Sequence, residues 1–276
     1  MVTATAALTE GVITPNTTIY DKGIIDEYEG YTYTCWTYPG SHGTINVKEA
    51  LQVSCNYFFY VTGRSVGIRA LDKYAAAYGL GQPTGVELYE NTGILASIDY
   101  KKDAVGEDWY VGDTLQAAIG QSYHLFTPLQ LASYAATIAS EGKRYAAHML
   151  YSVSGAEGFR KEPELLDTVN ASEETFAVLR EGMLMASRYG SASYVFGNYR
   201  IPVCSKTGTA QVGEESVNNA VYIAFAPMDD PEIALAVVVE GGANGYYLAE
   251  VARDIFDWYF TRDPEAAPIP ENTLIP

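Results

Sequence analysis

The chain has 276 residues, 48% of them hydrophobic, with 17 Lys and Arg against 34 Asp and Glu and a formal net charge of −17. That sign excludes a nonspecific nucleic-acid binder, whose affinity comes from neutralising phosphates, and a polybasic membrane-surface anchor. No apolar run approaches the roughly 18–20 residues of a membrane span, and Met1 to Leu8 has no basic stretch before it, so it does not read as a secretory signal.

Met1 to Glu10 reads as the tail of a helix that stops at Gly11, with Pro15 beyond. Residues 16–45 are turn-rich and aromatic and predict a loop with short strands. Asn46 followed by Glu49 predicts a capping box opening a helix through Ala50-Leu-Gln-Val53. Further helices are expected from Tyr57 through Val61 and from Ile68 to Tyr78, the latter stopped by Gly79 and Gly81. Residues 82–113 are polar with little periodicity and read as a long insertion, of the kind that is often functional. Thr127, Pro128 and Gln130 mark the start of a helix that runs to Gly142. Residues 145–168 read as strands and turns, and Ser172 to Arg188 as a long amphipathic helix.

The period then changes. Val203–Gln211, Asn219–Ala226 and Glu232–Glu240 are apolar or β-branched runs between turn signals, which predicts three consecutive antiparallel strands. Leu248–Phe260 predicts a closing amphipathic helix. The expected fold class is α+β, read as one domain over residues 1–262 with a loose tail over 263–276.

Cys35, Cys55 and Cys204 are an odd number of cysteines with no CxxC-type pair, and there are three histidines. The spacing argues against a disulfide scaffold and a structural zinc site, so no metal is expected, while a single bridge stays open. Cys55 is expected to point into the core, Cys204 to be a small packed residue, and His42, in a Ser-His-Gly-Thr turn, to be structural.

Two short segments carry chemistry. Lys206-Thr207-Gly208-Thr209-Ala210 puts an ammonium, two hydroxyls and a glycine on a predicted strand. Such a strand packs poorly, but its hydroxyls and ammonium could bind a carboxylate and its edge could take an extended peptide. Taken alone it also reads as an edge strand with a solvated lysine. Ser54-Cys55-Asn56 sets polar residues between two apolar stretches, and alone it reads as a helix cap. Together the two have the order of the Ser-x-Asn and Lys-[Ser/Thr]-Gly motifs of active-site serine acyl-transferases.

The chain resembles a penicillin-binding transpeptidase domain of the class B, monofunctional group over roughly residues 1–260. The resemblance runs through Ser54-Cys-Asn-Tyr-Phe-Phe-Tyr60, Tyr78-Gly-Leu-Gly-Gln-Pro-Thr-Gly85, Gly112-Asp-Thr114, Ala118-Ile-Gly-Gln121, Thr127-Pro-Leu-Gln-Leu131 and Lys206-Thr-Gly-Thr-Ala-Gln211. It implies an antiparallel sheet flanked by helices plus an all-helical subdomain, and D,D-transpeptidation of peptidoglycan without a cofactor. Its implied partners are stem peptides ending in D-Ala-D-Ala, β-lactams and other cell-wall synthesis proteins. Its implied location is the extracytoplasmic face of a bacterial membrane, reached through an amino-terminal anchor.

In this family the nucleophilic serine and its lysine form a Ser-x-x-Lys turn at a helix start. Leu8-Thr-Glu-Gly-Val-Ile-Thr-Pro15 fits the stretch that follows it, so that turn is expected immediately before Met1, and the 276-residue chain is expected to be inactive. By resemblance, Ser54 relays a proton, Asn56 binds the substrate amide, and Lys206 bonds Ser54 and keeps the field positive. Thr207 and Thr209 bind the substrate carboxylate, Gly208 lies in the same binding strand, and the Thr209 N–H forms half of an oxyanion hole. Gly120-Gln121 and Asp113 are expected to shape the supporting loop. The alternatives are a β-lactam sensor or an inactive cell-wall scaffold, and a serine β-lactamase, whose Glu-to-Asn spacing is mimicked by Glu87 to Asn91.

Overall fold

The computed structural model describes residues 1–153, 159–213 and 217–262; the expected tail lies outside them. The first helix, α1 (Val2–Thr9), is central, and Thr3 to Ala7 are all buried. Small side chains all round it let neighbours close in. At Gly63 an added Cβ would sit 3.5 Å from Thr3 Cγ2 of this helix and 2.2 Å from the Ala118 Cβ, so only glycine lets the three segments meet there.

Four short strands follow, as the turn-rich composition predicts. β1 (Ile19–Asp21) will pair with a later strand, β2 (Ile24–Tyr28) pairs with β3 (Tyr31–Thr34), and β4 (Gly43–Ile45) returns to β1, all antiparallel. Next come α2 (Val47–Val53), α3 (Asn56–Val66) and α4 (Ile68–Ala77). The predicted capping box is present, with Asn46 Oδ1 accepting from Glu49 N at 3.1 Å and Glu49 Oε2 accepting from Asn46 N at 2.8 Å.

The stretch 82–113 has more structure than its composition suggested. It holds the one-turn α5 (Ile98–Tyr100), a π-helical turn over Lys101–Val105, and the start of α6 (Val111–Ala118). α6 buries Thr114, Leu115, Ala117 and Ala118, a face too small and too short to give a visible apolar period. α7 (Pro128–Ala139) begins at the predicted Thr127 cap. β5 (Lys143–Tyr145) pairs with β6 (Leu165–Thr168), and α8 (Glu173–Tyr189) and the short α9 (Ser193–Phe196) lead into the last sheet.

That sheet is β7 (Cys204–Ala210), β8 (Asn219–Ala226) and β9 (Ile233–Val239), antiparallel in the order β7-β8-β9, with Lys206 opposite Ile223. β8 is central and buried on both sides. Ile223 and Phe225 join the larger core with α1, α3 and α8, while Tyr222, Ala224 and Ala226 join a second core with α10 (Leu248–Thr261). The two cores thus meet across one strand with a period of two. Phe256 of α10 is fully buried beside Phe196. Phe256→Ala is expected to destabilise the fold by about 3–5 kcal/mol, read from urea unfolding. A loss below about 1 kcal/mol would show that α10 does not anchor the sheet.

Candidate active site

Ser54 and Cys55 are the whole connection between α2 and α3. Ser54 closes α2 in the left-handed region, at φ +56°, and Cys55 caps α3, its Sγ accepting from Phe58 N at 3.4 Å. Leu51 and Phe58 on either side are buried, so the corner is fixed by packing while the serine faces a cavity. A non-glycine residue in that conformation costs about 1–2 kcal/mol, a cost concentrated at functional corners.

Lys206 reaches that corner from β7. Its Nζ donates to Ser54 Oγ at 2.9 Å and to the Thr207 carbonyl at 2.8 Å. The residues are 152 apart in sequence. Burial lowers the Lys206 pKa to about 8. Asn56, at the first turn of α3, lines the same cavity of about 1080 Å³ as Ser54, Lys206, Thr207, Gly208 and Thr209. The structure therefore brings all six expected site residues to one cavity, with a direct bond between Ser54 and Lys206. Thr207 Oγ1 is within 3.0 Å of Ser191 Oγ.

β7 is an edge strand, so its outward backbone groups face the cavity. Gln121 marks which they are. Its Nε2 donates to the Thr209 carbonyl at 3.0 Å, and its Oε1 accepts from Gln211 N at 3.4 Å. Residues 207, 209 and 211 therefore turn their backbone away from β8, and the Thr209 N–H points to the cavity side. The supporting role expected of Gln121 is this pair of bonds. Asp113 accepts from Lys101 Nζ at 2.7 Å.

A second backbone lies close against Gly208, where an added Cβ would itself sit 3.3 Å from Val221 Cβ. The approaching residue is Gly245, whose added Cβ would fall 2.2 Å from the Gly208 carbonyl oxygen and 2.3 Å from that of Val221. Gly245 opens a 3₁₀ turn, Gly245–Tyr247, laid on the sheet.

Reading along the chain also missed part of the cavity wall. Tyr194 and Tyr246 line it, and the Tyr194 hydroxyl donates to the Tyr246 carbonyl at 3.0 Å. Neither sits in a motif or a periodic run. His124 and Asp72 line the cavity as well; burial lowers His124 to about 4, and burial followed by the Asp99 charge raises Asp72 to about 7. Met1, Val2 and Thr3, at the amino end of α1, line the cavity beside Ser54 and Lys206.

One Ser-x-x-Lys string does occur, Ser140-Glu-Gly-Lys143. It lies at the carboxy end of α7, where Ser140 Oγ donates to the Ala136 carbonyl at 2.7 Å. Neither residue lines the cavity. It is a helix cap rather than a nucleophile's turn.

The lowered Lys206 pKa has a stability consequence with a definite sign. Between about pH 8 and 10.5 the unfolded chain holds the proton that the folded one releases. Folding stability should rise with pH across that window. Lys206→Met is expected to abolish this rise, measured as the wild-type-minus-variant difference in urea unfolding at pH 7.5 and 10. A difference that is flat with pH would contradict the desolvation of Lys206.

The expectation of no metal site rested on sequence spacing, and the fold brings four donors together regardless of it. Ligand atoms of Asp21, Cys35, His42 and Cys55 all lie within 4.8 Å of one another. A tetrahedral zinc with Zn–S near 2.3 Å and Zn–N near 2.05 Å places two sulfurs about 3.8 Å apart and sulfur and nitrogen about 3.6 Å apart. The Cys35–Cys55 sulfurs are 3.8 Å apart and Cys35 Sγ is 3.6 Å from His42 Nδ1. The donors also suit zinc chemically, and the 2.8 Å hydrogen bond between His42 Nδ1 and Asp21 Oδ2 is what an ion would replace, the two atoms parting to about 3.3 Å on one tetrahedral ion. Cys55 points into the core as expected, and Cys204 is buried, its Sγ donating to the Arg180 carbonyl at 3.3 Å.

Comparison with known proteins agrees with this geometry. The family described as the penicillin binding protein transpeptidase domain matches residues 1–257. The peptidoglycan D,D-transpeptidase MrdA of Acinetobacter baumannii is 31% identical over 94% of this chain and 41% of its own length. MrdA of Escherichia coli is 28% identical over 99% of this chain and 46% of its own length. The chain thus spans less than half of these relatives. Among solved structures, Pseudomonas aeruginosa PBP2 in complex with WCK 5153 superposes with a TM-score of 0.85 at 28% identity, covering 97% of this chain and 60% of that one. Helicobacter pylori PBP2 gives 0.82 at 30% identity, covering 94% and 48%. The α+β architecture is that of these domains, and the chain belongs to the penicillin-binding protein transpeptidase family.

Proposed function

We propose that this domain performs D,D-transpeptidation of peptidoglycan stem peptides ending in D-Ala-D-Ala, and that β-lactams acylate it by the same route. The observation that carries the reading is the 2.9 Å bond from Lys206 to Ser54 at the wall of a cavity whose edge strand presents Thr207 and Thr209. The attacking serine is the one the resemblance places ahead of Met1, and the opening of the α1 amino end into the cavity supports that position.

The serine gives its proton to the lysine of its own turn, its oxygen bonds to the carbonyl carbon of the penultimate D-Ala, and the bond to the terminal D-Ala breaks. Ser54, fed by Lys206, passes a proton to that leaving amine. An acceptor amine then attacks the ester, its proton returning through Ser54 to Lys206, and the serine recovers its own from the turn lysine. Asn56 holds the substrate amide, Thr207 and Thr209 hold the terminal carboxylate, and the outward Thr209 N–H faces the developing oxyanion. The substrate lies along the β7 edge as an added strand.

The Asp21–Cys35–His42–Cys55 set would hold a zinc-type ion as a closed, structural centre, with four protein ligands and no open position for substrate. When bound, such an ion supplies cross-linking rather than acyl chemistry. The four residues tie β1, the loop after β3 and the α2–α3 corner together.

A domain with this activity works outside the cytoplasm, where its substrate lies. Solved relatives include H. pylori PBP2 in complex with MreC and a peptidoglycan synthase complex. We infer comparable cell-wall assembly partners for this chain. No helix among the described residues is long and apolar enough to cross a membrane.

The test is exchange of a labelled D-amino acid into a D-Ala-D-Ala peptide, with penicillin labelling and chase, by the polypeptide extended upstream through the Ser-x-x-Lys turn. The reading predicts exchange and a long-lived penicilloyl adduct. Fast hydrolysis of the adduct would make the protein a β-lactamase. A stable adduct without exchange would make it a sensor, and neither adduct nor exchange a scaffold.

A further inference from the structure

Cys35 and Cys55 are buried side by side, while Cys204 lies apart on β7. Acyl transfer makes no use of a thiol at either position. A disulfide needs its sulfurs about 2.05 Å apart, so the pair would close by less than about 2 Å from its present 3.8 Å. Any such movement reaches the candidate active site from two sides. Cys55 stands between Ser54 and Asn56 and caps α3. Cys35 precedes Trp36, whose Nε1 donates to the Val53 carbonyl at 3.1 Å, immediately before Ser54. The Trp36 ring also packs edge-on against His42, with centroids 5.3 Å apart.

We propose that Cys35 and Cys55 form a metal-guarded redox pair. With an ion bound, both sulfurs are ligands; emptied of it, they close to a disulfide that pulls the Ser54–Asn56 corner away from Lys206. The oxidant is a peroxide. One thiol attacks hydrogen peroxide, the O–O bond breaks, and a sulfenic acid and one water result. The second thiol displaces the sulfenic oxygen, forming the S–S bond and a second water. Two thiols are oxidised and one peroxide is reduced to two waters. The disulfide leaves only Asp21 and His42 as donors, too few for a closed tetrahedral centre.

The consequence for the corner rests on the acyl-transfer reading, whereas disulfide and metal uptake do not, so the two can fail separately. The 276-residue protein is stripped of metal by a chelator under reductant, freed of both, and treated with hydrogen peroxide. The expected result is a mass loss of about 2 Da, a Cys35–Cys55 cross-linked peptide, and loss of one-to-one zinc uptake measured with a chromogenic indicator. Protein preloaded with zinc should oxidise at least about tenfold more slowly, because its sulfurs are held as ligands. Cys204→Ser should behave as wild type. Cys35→Asp keeps four donors without the second thiol, and should take up zinc before and after peroxide.

Both thiols still alkylatable after oxidation and denaturation, a bridge to Cys204, or only over-oxidised cysteine would overturn the proposal. Wild-type peptide mapping decides this even where a variant fails to fold. In the extended polypeptide, penicillin labelling should fall on disulfide formation and return on reduction. A disulfide that leaves labelling unchanged would refute the coupling to the corner.

Discussion

Lys206→Ala in the upstream-extended polypeptide is expected to slow penicillin acylation by roughly 10²–10⁴-fold, the span typical of removing a proton-transfer partner. The reason is local. Lys206 donates to Ser54 and to the Thr207 carbonyl, and burial has brought its pKa to about 8, close to working pH. Without it Ser54 loses its hydrogen-bond donor and the carboxylate subsite loses its positive charge. Lys206→Arg should not rescue the rate, because a guanidinium keeps its proton and cannot pass one on. Stopped-flow acylation would check this. A loss below about tenfold for the alanine variant, with folding intact, would remove Lys206 from the chemistry.

The second large effect is expected at Thr209. Thr209→Pro deletes one N–H and keeps the carbonyl that Gln121 holds. On an edge strand an outward N–H is one of the few positions where proline does not break the ladder. Losing one oxyanion donor costs about 10²–10³-fold in rate. Thr209→Val keeps the N–H but loses the hydroxyl, so it should weaken carboxylate binding while sparing most of the acylation rate constant. Saturation kinetics separate the two. Equal losses in both variants would mean that the hydroxyl, not the backbone, is what Thr209 contributes.

Much of the architecture was legible because local signals agreed with tertiary need. The Asn46–Glu49 and Thr127–Gln130 capping boxes each opened the helix they announced. The unbroken apolar run along residues 220–226 matched a strand with a core on each side. α6 was not legible, since a short helix burying alanines and a threonine has no amphipathic contrast to detect. The partner of Gly208 was hidden for a related reason. A strand glycine shows in the sequence, but that Gly245 is the backbone laid against it depends on the tertiary approach of the two.

The candidate site followed the same division. Motif order pointed to Ser54, Asn56 and Lys206, and residues 152 positions apart proved to be hydrogen-bonded. The aromatic wall of Tyr194 and Tyr246 left no trace in the sequence, because it is assembled from a one-turn helix and a 3₁₀ turn. The four-donor cluster was hidden more completely. Its ligands come from β1, two loop positions and a helix cap, so no short spacing announces them.

The central claim is that the cavity around Ser54, Lys206 and Thr209 is an acyl-transfer site whose nucleophile sits on the Ser-x-x-Lys turn ahead of α1. Intact-protein mass spectrometry after incubation with penicillin tests it most directly, on the 276-residue chain and on the polypeptide extended through that turn. The account predicts one stoichiometric penicilloyl adduct on the extended polypeptide, mapped to the serine of the turn, and none on the 276-residue chain. An adduct on the 276-residue chain, or an adduct on the extended polypeptide mapped to Ser54 or Ser140, would contradict it.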